Sequence, residues 1–254
     1  MTRDGLRQAI IDANALPGLD TIVFSLPGAG GTIAVPTNLP ALTDPAVVDG
    51  LSQPGTSCAA WPPTLGIELD GGNSALFGLV LNSGSSVRGL AISRFTADPI
   101  FLLGGNNSVQ CNLIGTDLTG TVDRGFGQVG VMVNGSADNL IGGSLPGQGN
   151  LIAGGDSAAE AIRISSDTAQ GNVVQGNRIG TNAAGTATIP NNGDGMLITG
   201  QYNLVGGVTP GARNLIAGNN GDGIELFNDT AGGNQIIGNA IGTDLGGTLD
   251  LGNS

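Results

Sequence analysis

The sequence predicts an all-β fold, a right-handed parallel β-helix (a solenoid) with three short strands per coil and a short N-terminal capping helix. Three observations predict it. Asn-led segments with Ile or Val two places later return every 31 to 33 residues, each repeat adds a short apolar third segment, and 47 of the 254 residues are Gly. Such self-similarity is typical of solenoids, in which each coil contacts only its neighbours.

The first 64 residues are expected to form an N-terminal cap and a first irregular coil. Leu6, Ile10 and Ile11 stand at helical spacing ahead of a Pro-Gly pair, so a short amphipathic helix is expected to cover the first coil. Three strand-like pieces follow, at 21–24, 32–35 and 46–49.

A Ser- and Pro-rich loop between Leu51 and Pro63 carries Cys58 and the single tryptophan, Trp61. The other cysteine is Cys111, and two cysteines do not amount to a disulfide framework, so we expect them to stay unbridged.

Residues 65–254 are expected to form the β-helix coils. The first series of Asn residues is Asn107, Asn139, Asn172, Asn203 and Asn234, and the second is Asn112, Asn150, Asn177, Asn214 and Asn239. In all ten segments the residue two places after the Asn is Ile or Val. Stacked coils place equivalent residues about 4.8 Å apart, so these side chains are expected to form interior columns.

The recurrence of Asn and Gly at the bends of the coils has a physical explanation. Asn at a bend can bond neighbouring amides and is expected to adopt left-handed backbone angles. Gly after a strand is expected to supply the positive φ of the corner. The third segments of the coils are 131–133, 162–164, 196–198 and 224–226, and their middle residues are expected to point outward.

Two kinds of coil alternate along the chain. The two Asn residues of a coil are 11 residues apart in the coils that start at Asn139 and Asn203, and 5 apart in the others. The 5-residue coils continue into a long excursion that begins with Ile-Gly-Thr. The last coil has no third segment, so we expect the chain to be a piece of a longer protein and to self-associate through this open end.

Composition excludes several partners. All eight cations are Arg, His is absent and the net charge is −12, so the chain offers no basic face to a nucleic acid or an anionic membrane. No apolar run reaches the roughly 18 residues of a membrane span. The first residues do not resemble a signal peptide, because no apolar stretch follows them.

The best acidic pair for a site is Asp194 and Asp222, each in the sequence Asn-Asn-Gly-Asp-Gly on neighbouring coils. Stacking would place their carboxylates about 5 Å apart, close enough to share Ca²⁺ or to raise one pKa. A turn is the favoured interpretation, because Asn-Gly and Asp-Gly are preferred turn formers. No other cofactor is expected.

Two further sets of residues stand out. Asp117 and Asp244 occupy a position at which the coil between them has Asn182, which favours a capping role over a carboxylate ligand. The outward column of the third strands is a ridge formed by Met132, Arg163, Leu197 and Glu225. This ridge is a candidate for binding a glycan or a protein, and the equal alternative is that a loop covers it. Arg163 and Glu225 are two coils apart, about 10 Å, which is too far for a direct ion pair.

The Asn-x-Ile-x-Gly coils and Ile-Gly-Thr excursions of residues 107–254 resemble those of secreted bacterial right-handed parallel β-helix repeat proteins. Residues 4–9, Asp-Gly-Leu-Arg-Gln-Ala, are similar to a segment that often precedes such repeats and is named for a Cys-Ser-Leu-Arg-Glu-Ala stretch; the Cys and the Glu are absent here. The resemblance implies an exported or surface-attached protein, and some proteins of this architecture act on acidic polysaccharides.

Two functions follow from these observations. The first is a non-catalytic extracellular or cell-surface scaffold, an adhesion or glycan-binding module that contacts a polysaccharide or another surface protein. The alternative is a polysaccharide lyase, hydrolase or epimerase with Asp194 and Asp222 nearest to its site. Trp61 and Tyr202 are the main sugar-stacking candidates, but neither has an aromatic neighbour in the sequence.

Overall fold

The computed structural model describes residues 3–227 and 231–254, with side chains from residue 5 onward. It contains three parallel β-sheets, whose strands follow one another in threes along the chain, and a helix at the N-terminal end. This is the parallel β-helix that the repeat predicts.

The described helices are α1 (Arg3–Ala15) and two single 3₁₀ turns at Gly50–Ser52 and Pro210–Ala212. The strands are β1 (Asp20–Val23), β2 (Gly31–Ala34), β3 (Ala46–Asp49), β4 (Ile67–Asp70), β5 (Leu79–Leu81), β6 (Ser86–Arg88), β7 (Leu90–Ser93), β8 (Ile100–Leu102), β9 (Ser108–Gln110), β10 (Leu113–Ile114), β11 (Val129–Asn134), β12 (Leu140–Gly142), β13 (Leu151–Ile152), β14 (Glu160–Ser165), β15 (Val173–Gln175), β16 (Arg178–Ile179), β17 (Met196–Ile198), β18 (Leu204–Gly206), β19 (Leu215–Ile216), β20 (Ile224–Leu226), β21 (Gln235–Ile237) and β22 (Ala240–Ile241).

Each coil from β3 to β20 contributes one strand to each sheet, whereas the first coil (β1, β2) and the last (β21, β22) contribute described strands to sheets A and B alone. Sheet A runs in the order β1, β3, β6, β9, β12, β15, β18, β21, and sheet B in the order β2, β4, β7, β10, β13, β16, β19, β22. Sheet C runs from β5 through β8, β11, β14 and β17 to β20. Sheets A and B cross residue 64 without a break, because β3 pairs with β6 and β2 with β4.

The interior of the coils is a set of aliphatic columns. In sheet A the register places Ile141 beside Val174, Val174 beside Val205 and Val205 beside Ile236. Val174 and Val205 are fully buried, whereas Ile236 is 39% exposed because it lies in the last coil. Sheet B has the same kind of column, which ends at Ile241, 46% exposed.

Helix α1 covers the N-terminal end of the interior, as predicted. Its buried residues are Leu6, Ile10 and Ala13, at positions i, i+4 and i+7 of one helical face. The prediction that Ile11 lies on that face was wrong, since this residue is 44% exposed. At about 100° per residue, Ile11 is rotated away from the stripe that Leu6 and Ile10 define.

Buried Asn side chains form ladders along the edges of the coils. In both predicted series each side-chain amide donates to Oδ1 of the next Asn, as Asn172 does to Asn203 at 2.9 Å. The same Oδ1 also accepts the backbone N–H of Asn172. A third ladder, which the sequence reasoning missed, runs from Asn191 through Asn219 to Asn253.

The left-handed angle at the bends was assigned to the wrong residue. In eight of the ten predicted segments positive φ occurs at the residue before the ladder Asn, for example at Cys111, Asp138 and Tyr202; the exceptions are Gly149 and Arg213, which end the long connections. The Asn itself is held by its hydrogen bonds to the adjoining coils, so the turn takes place one position earlier. The predicted corner glycines are confirmed, as at Gly142, where φ is +83° and a Cβ would lie 1.9 Å from the carbonyl oxygen of Gln175.

The loop of residues 51–63, here called the strap, lies across the outward face of sheet B. Cys58 forms a disulfide with Cys111, so the expectation of unbridged cysteines was wrong. Sequence separation hid the pairing, because 53 residues of coil bring Cys111 back beneath the strap. Farther along, the Trp61 indole N–H donates to the carbonyl of Ala183, and the Arg178 guanidinium carbon lies 4.4 Å from the centre of the Trp61 ring.

The capping role of the excursion residues is confirmed. Oδ1 of Asp117 accepts the backbone N–H of Val122, Oδ1 of Asn182 accepts that of Thr186, and Oδ1 of Asp244 accepts that of Thr248. Either Asp or Asn can supply this oxygen, which explains why the position varies. The described residues contain no helix long and apolar enough to cross a membrane.

Candidate functional site

The outward face of sheet C carries the predicted ridge. The register places Met132 beside Arg163, Arg163 beside Leu197 and Leu197 beside Glu225. The two charged residues are therefore two rungs apart, as predicted. Phe101 continues the column beyond Met132, and its ring packs edge to face against Phe77 with centroids 5.3 Å apart.

An acidic edge runs beside this ridge, two positions before the first interior residue of each strand of sheet C. Extending the register places four acids there, Asp98, Glu160, Asp194 and Asp222, on four of five consecutive coils. Asp98 accepts the backbone N–H of Val129, which fills the remaining position. The acids recur in one column because each strand of sheet C starts at the same corner.

The predicted pair Asp194 and Asp222 does come together, and Glu225 joins it. One carboxylate oxygen of each residue lies within 4.8 Å of the other two. Oδ1 of Asp194 also accepts the backbone N–H of Asp222 at 2.8 Å, which is the bond expected of the turn interpretation. The cluster thus has a structural role in linking two coils, whatever else it binds.

Like charges dominate the electrostatics of this cluster. Desolvation raises the pKa of Glu225, and its hydrogen bond to Asp194 and the charges of Asp194 and Asp222 raise it further. Carboxylate oxygens are the donors that Ca²⁺ prefers, and three carboxylates provide part of the six to eight oxygens that it usually takes. The donor chemistry therefore fits Ca²⁺, with Asp194, Asp222 and Glu225 as the residues that would hold it.

Arg163 lies apart from that cluster and pairs with Glu160 three residues earlier. Two grooves meet at its side chain, one of 310 Å³ bounded by Gln128 and Glu160 and one of 420 Å³ bounded by Leu197 and Phe227. Its Nε is buried and has no hydrogen-bond partner among the described residues. Arg163 is thus the cation that both grooves on the outward face of sheet C share.

Asp98 and Glu160 were missed by the sequence reasoning. Asp98 is 2% exposed, and burial raises its pKa to about 6, against the opposing effects of its bond from Val129 and the charge of Arg163. The register of sheet C contained the signal, because Asp98, like Asp194 and Asp222, stands two places before an interior Ile or Met.

The sugar-stacking candidates lie elsewhere. Trp61 packs on Arg178 above sheet B, and Tyr202 is exposed at a bend with positive φ. Neither contributes to the outward face of sheet C.

No protein-family model matches the chain, and no curated protein sequence matches it significantly. The described face offers one half-exposed cation between two grooves, a buried carboxyl group of raised pKa, and a surface cluster of three carboxylates.

Proposed function

We propose that this protein is a non-catalytic extracellular or cell-surface scaffold whose sheet C face binds an extended glycan at the two grooves beside Arg163. The observation that carries the proposal is the pair of grooves, 310 and 420 Å³, which share Arg163 on the outward face of sheet C. A long ligand can lie along consecutive coils because equivalent residues repeat at a fixed distance of about 4.8 Å.

Rigidity supports the scaffold role. Three Asn ladders, a continuous aliphatic interior and a disulfide hold the outward residues in fixed positions. Rigid presentation lowers the entropy lost on binding, which favours recognition of a repetitive ligand. The disulfide also fits an oxidising, extracellular compartment, where such bridges persist.

Retention on immobilised polysaccharides tests the proposal. The full chain is expected to be retained on at least one of polygalacturonate, alginate or chondroitin sulfate, and Arg163→Gln is expected to reduce retention at least about tenfold, the loss typical of a charge-assisted hydrogen bond. Arg124→Gln, at an exposed arginine on an excursion, is the matched control. Equal retention of the Arg163 and Arg124 variants would refute the assignment of the face.

A second function is supported by Asp98. A buried carboxyl group with a pKa of about 6 can donate a proton near neutral pH, and it lies in the field of Glu160 and Arg163. We therefore propose, as the alternative, a lyase, hydrolase or epimerase that acts on acidic polysaccharide in the groove bounded by Glu160 and Arg163.

Turnover separates the two functions. Product release from the same three polysaccharides, monitored by reducing-end and unsaturated-sugar assays, would favour the enzyme if Asp98→Asn abolished it and left retention unchanged. Retention without turnover by the unsubstituted chain would favour the scaffold.

A further inference from the structure

The alternation of coil types leaves a recess at the corner between sheets A and B. The long connections 143–149 and 207–213 belong to the 11-residue coils and project from the surface. The coil between them has a short connection, at Gly176, so its surface lies deeper. The resulting cavity of 320 Å³ has Gly176 and Arg178 as its floor.

The equivalent recess of an earlier short coil is filled. Cys111 occupies the position of Gly176 there, and the strap covers it through the disulfide of Cys58. At Gly176 the strap contributes only Trp61, which lines one wall. The cavity is therefore what remains where the strap ends.

Arg178 is a charged residue between two leucines in the outward column of sheet B. The outward column of sheet B has Leu151 before it and Leu215 after it, both fully buried. A guanidinium between two leucines is desolvated, which lowers the pKa of Arg178 to about 10. Its Nε is buried without a hydrogen-bond partner, and no carboxylate pairs with it in the described part of the chain.

The cavity has the opposite charge to the rest of the molecule. Two of the eight arginines of a chain with net charge −12, Arg178 and Arg213, line it, and none of its described lining residues is acidic. The rest of the lining includes Ser144 and several glycines, and its apolar side chains are Trp61, Leu145, Pro146, Pro210 and Leu245. Two cations and an apolar wall suit a ligand that carries a carboxylate on a ring with an apolar face.

We propose that this cavity, the Trp61 pocket, binds a uronic acid residue, with its carboxylate on Arg178 and Arg213 and its ring against Trp61. The volume of 320 Å³ lies at the lower end of the range of about 300–1,000 Å³ of small-molecule sites, which fits one sugar ring. The proposal rests on the proposed glycan-binding function and adds a second site, on another face, with a stated ligand class.

Fluorescence of the single tryptophan tests the pocket directly. Titration with sodium galacturonate at constant ionic strength is expected to change Trp61 emission saturably, whereas neutral galactose is not. Arg178→Gln and Arg213→Gln are each expected to weaken the response at least about tenfold, as for loss of a charge-assisted contact. Arg124→Gln, exposed and distant in the chain, is the matched control.

Arg213→Gln keeps the experiment decisive if Arg178→Gln loosens the strap. Arg213 does not stack on Trp61; its Nε donates to the carbonyl of Gly238 at 2.9 Å. Far-ultraviolet dichroism and thermal unfolding identify any variant that fails to fold. Equal responses to galacturonate and galactose, no saturable response up to about 20 mM, or unchanged binding by Arg213→Gln would each overturn the proposal.

Retention on polysaccharide distinguishes this inference from the proposed function. If the chain is retained on polysaccharide but galacturonate gives no saturable change in Trp61 emission, the glycan function stands and the pocket fails. If galacturonate binds in solution but no polysaccharide retains the chain, the pocket stands and the scaffold function fails. Tighter binding of trigalacturonate than of the monomer identifies a polymer residue as the ligand, and equal binding identifies a free acid; both support the pocket.

Discussion

At the scale of the residue, the fold depends on the amide side chain of Asn. A buried Asn can accept and donate at once, so one side chain satisfies the backbone N–H of one coil and a carbonyl or amide of another. Asn172 does so fully: its Oδ1 accepts from the backbone and side chain of Asn139, and its Nδ2 donates to Asn203 and Ser136. No other small side chain offers both functions at the same length.

The ladder predicts a large effect for a small truncation. Asn172→Ala removes the acceptor of the buried backbone N–H of Asn139 and of one side-chain N–H of the same residue, whose other side-chain bond goes to Ser136. Each unsatisfied group costs about 1–3 kcal/mol, so we expect a loss of about 3 kcal/mol in the free energy of unfolding. Urea denaturation measures it. Asn220→Ala, at an exposed Asn, is the control and is expected to change stability by less than about 0.5 kcal/mol.

Asp98 predicts a pH dependence of stability. Because its folded pKa is raised from 3.8 to about 6, the native state binds the proton more tightly than the unfolded state. The resulting stabilisation is complete below pH 4 and is lost as the pH rises through about 6, at a cost of roughly 2–3 kcal/mol.

Asp98→Asn should remove that dependence while keeping an oxygen for the N–H of Val129. Unfolding free energies of the two proteins are expected to diverge in favour of the variant between pH 4 and pH 6.5. Asp167→Asn, at an exposed position, is the control. Parallel pH profiles for the natural chain and the Asp98 variant would contradict the prediction.

The acidic cluster predicts a second pH-dependent effect on stability. Desolvation of Glu225, followed by its hydrogen bond to Asp194 and the charges of Asp194 and Asp222, disfavours its ionised form, so Glu225→Gln is expected to raise the melting temperature at pH 7. The sign follows because a raised folded pKa makes ionisation destabilising. The gain should vanish at pH 3, where the carboxyl is protonated in both states. Scanning calorimetry at the two pH values, with 5 mM Ca²⁺ as a further arm, measures the effect and shows whether the ion stabilises only the natural chain.

At the scale of the element, the strap shows why the coils could be predicted from the sequence and the position of the strap on sheet B could not. The Asn period and the Ile or Val two residues later are local signals, so the coils from Asn107 onward could be predicted from the sequence. The strap depends on which coil residue 58 reaches in space, and only the stacking brings Cys111 there. The Trp61 contacts with Ala183 and Arg178 have the same long-range origin.

The residues of the candidate site also divide into those that local sequence signals could identify and those that only the stacking of the coils brings together. Asp194 and Asp222 share a five-residue motif and could be paired from the sequence. Asp98 and Glu160 have different neighbours in the chain, and only the register of sheet C aligns them with that pair. The Trp61 pocket was missed altogether, because it needs two alternate coils and the end of the strap.

Removal of the disulfide is expected to destabilise the chain strongly. Closing a loop of 53 residues restricts the unfolded state by about 4 kcal/mol in the chain-entropy model. The double variant Cys58→Ser, Cys111→Ser should therefore unfold at lower urea, and its Trp61 emission should shift to the red as the strap leaves the surface. Reduction with dithiothreitol should give the same shift in the natural chain and none in the variant. Unchanged emission would show that Trp61 and its contacts hold the strap without the bridge.

At the scale of the whole molecule, the two ends differ. Helix α1 covers the first coil and buries Leu6 and Ile10, whereas the last coil exposes Ile236, Ile237 and Ile241. Among the described strands none pairs with the outer edges of β20, β21 and β22. A solenoid with one covered end cannot stack head to tail without limit, because addition to the N-terminal end is blocked.

This asymmetry predicts dimers and not fibres for the chain as described. Contact between two open ends buries the three isoleucines and pairs strand edges, and a two-fold arrangement closes the assembly at two copies. Light scattering should show a monomer–dimer equilibrium at about 10–100 µM, since burial of a few aliphatic side chains supplies only moderate affinity. Ile241→Asp should shift it to monomer, because a carboxylate cannot be buried unpaired. Val122→Asp, at an exposed apolar residue in the coil that starts at Asn107, is the control and should leave the dimer intact. Growth into fibres would mean that the N-terminal end is also accessible, and a monomer at every concentration would mean that the exposed coil is too irregular to pair.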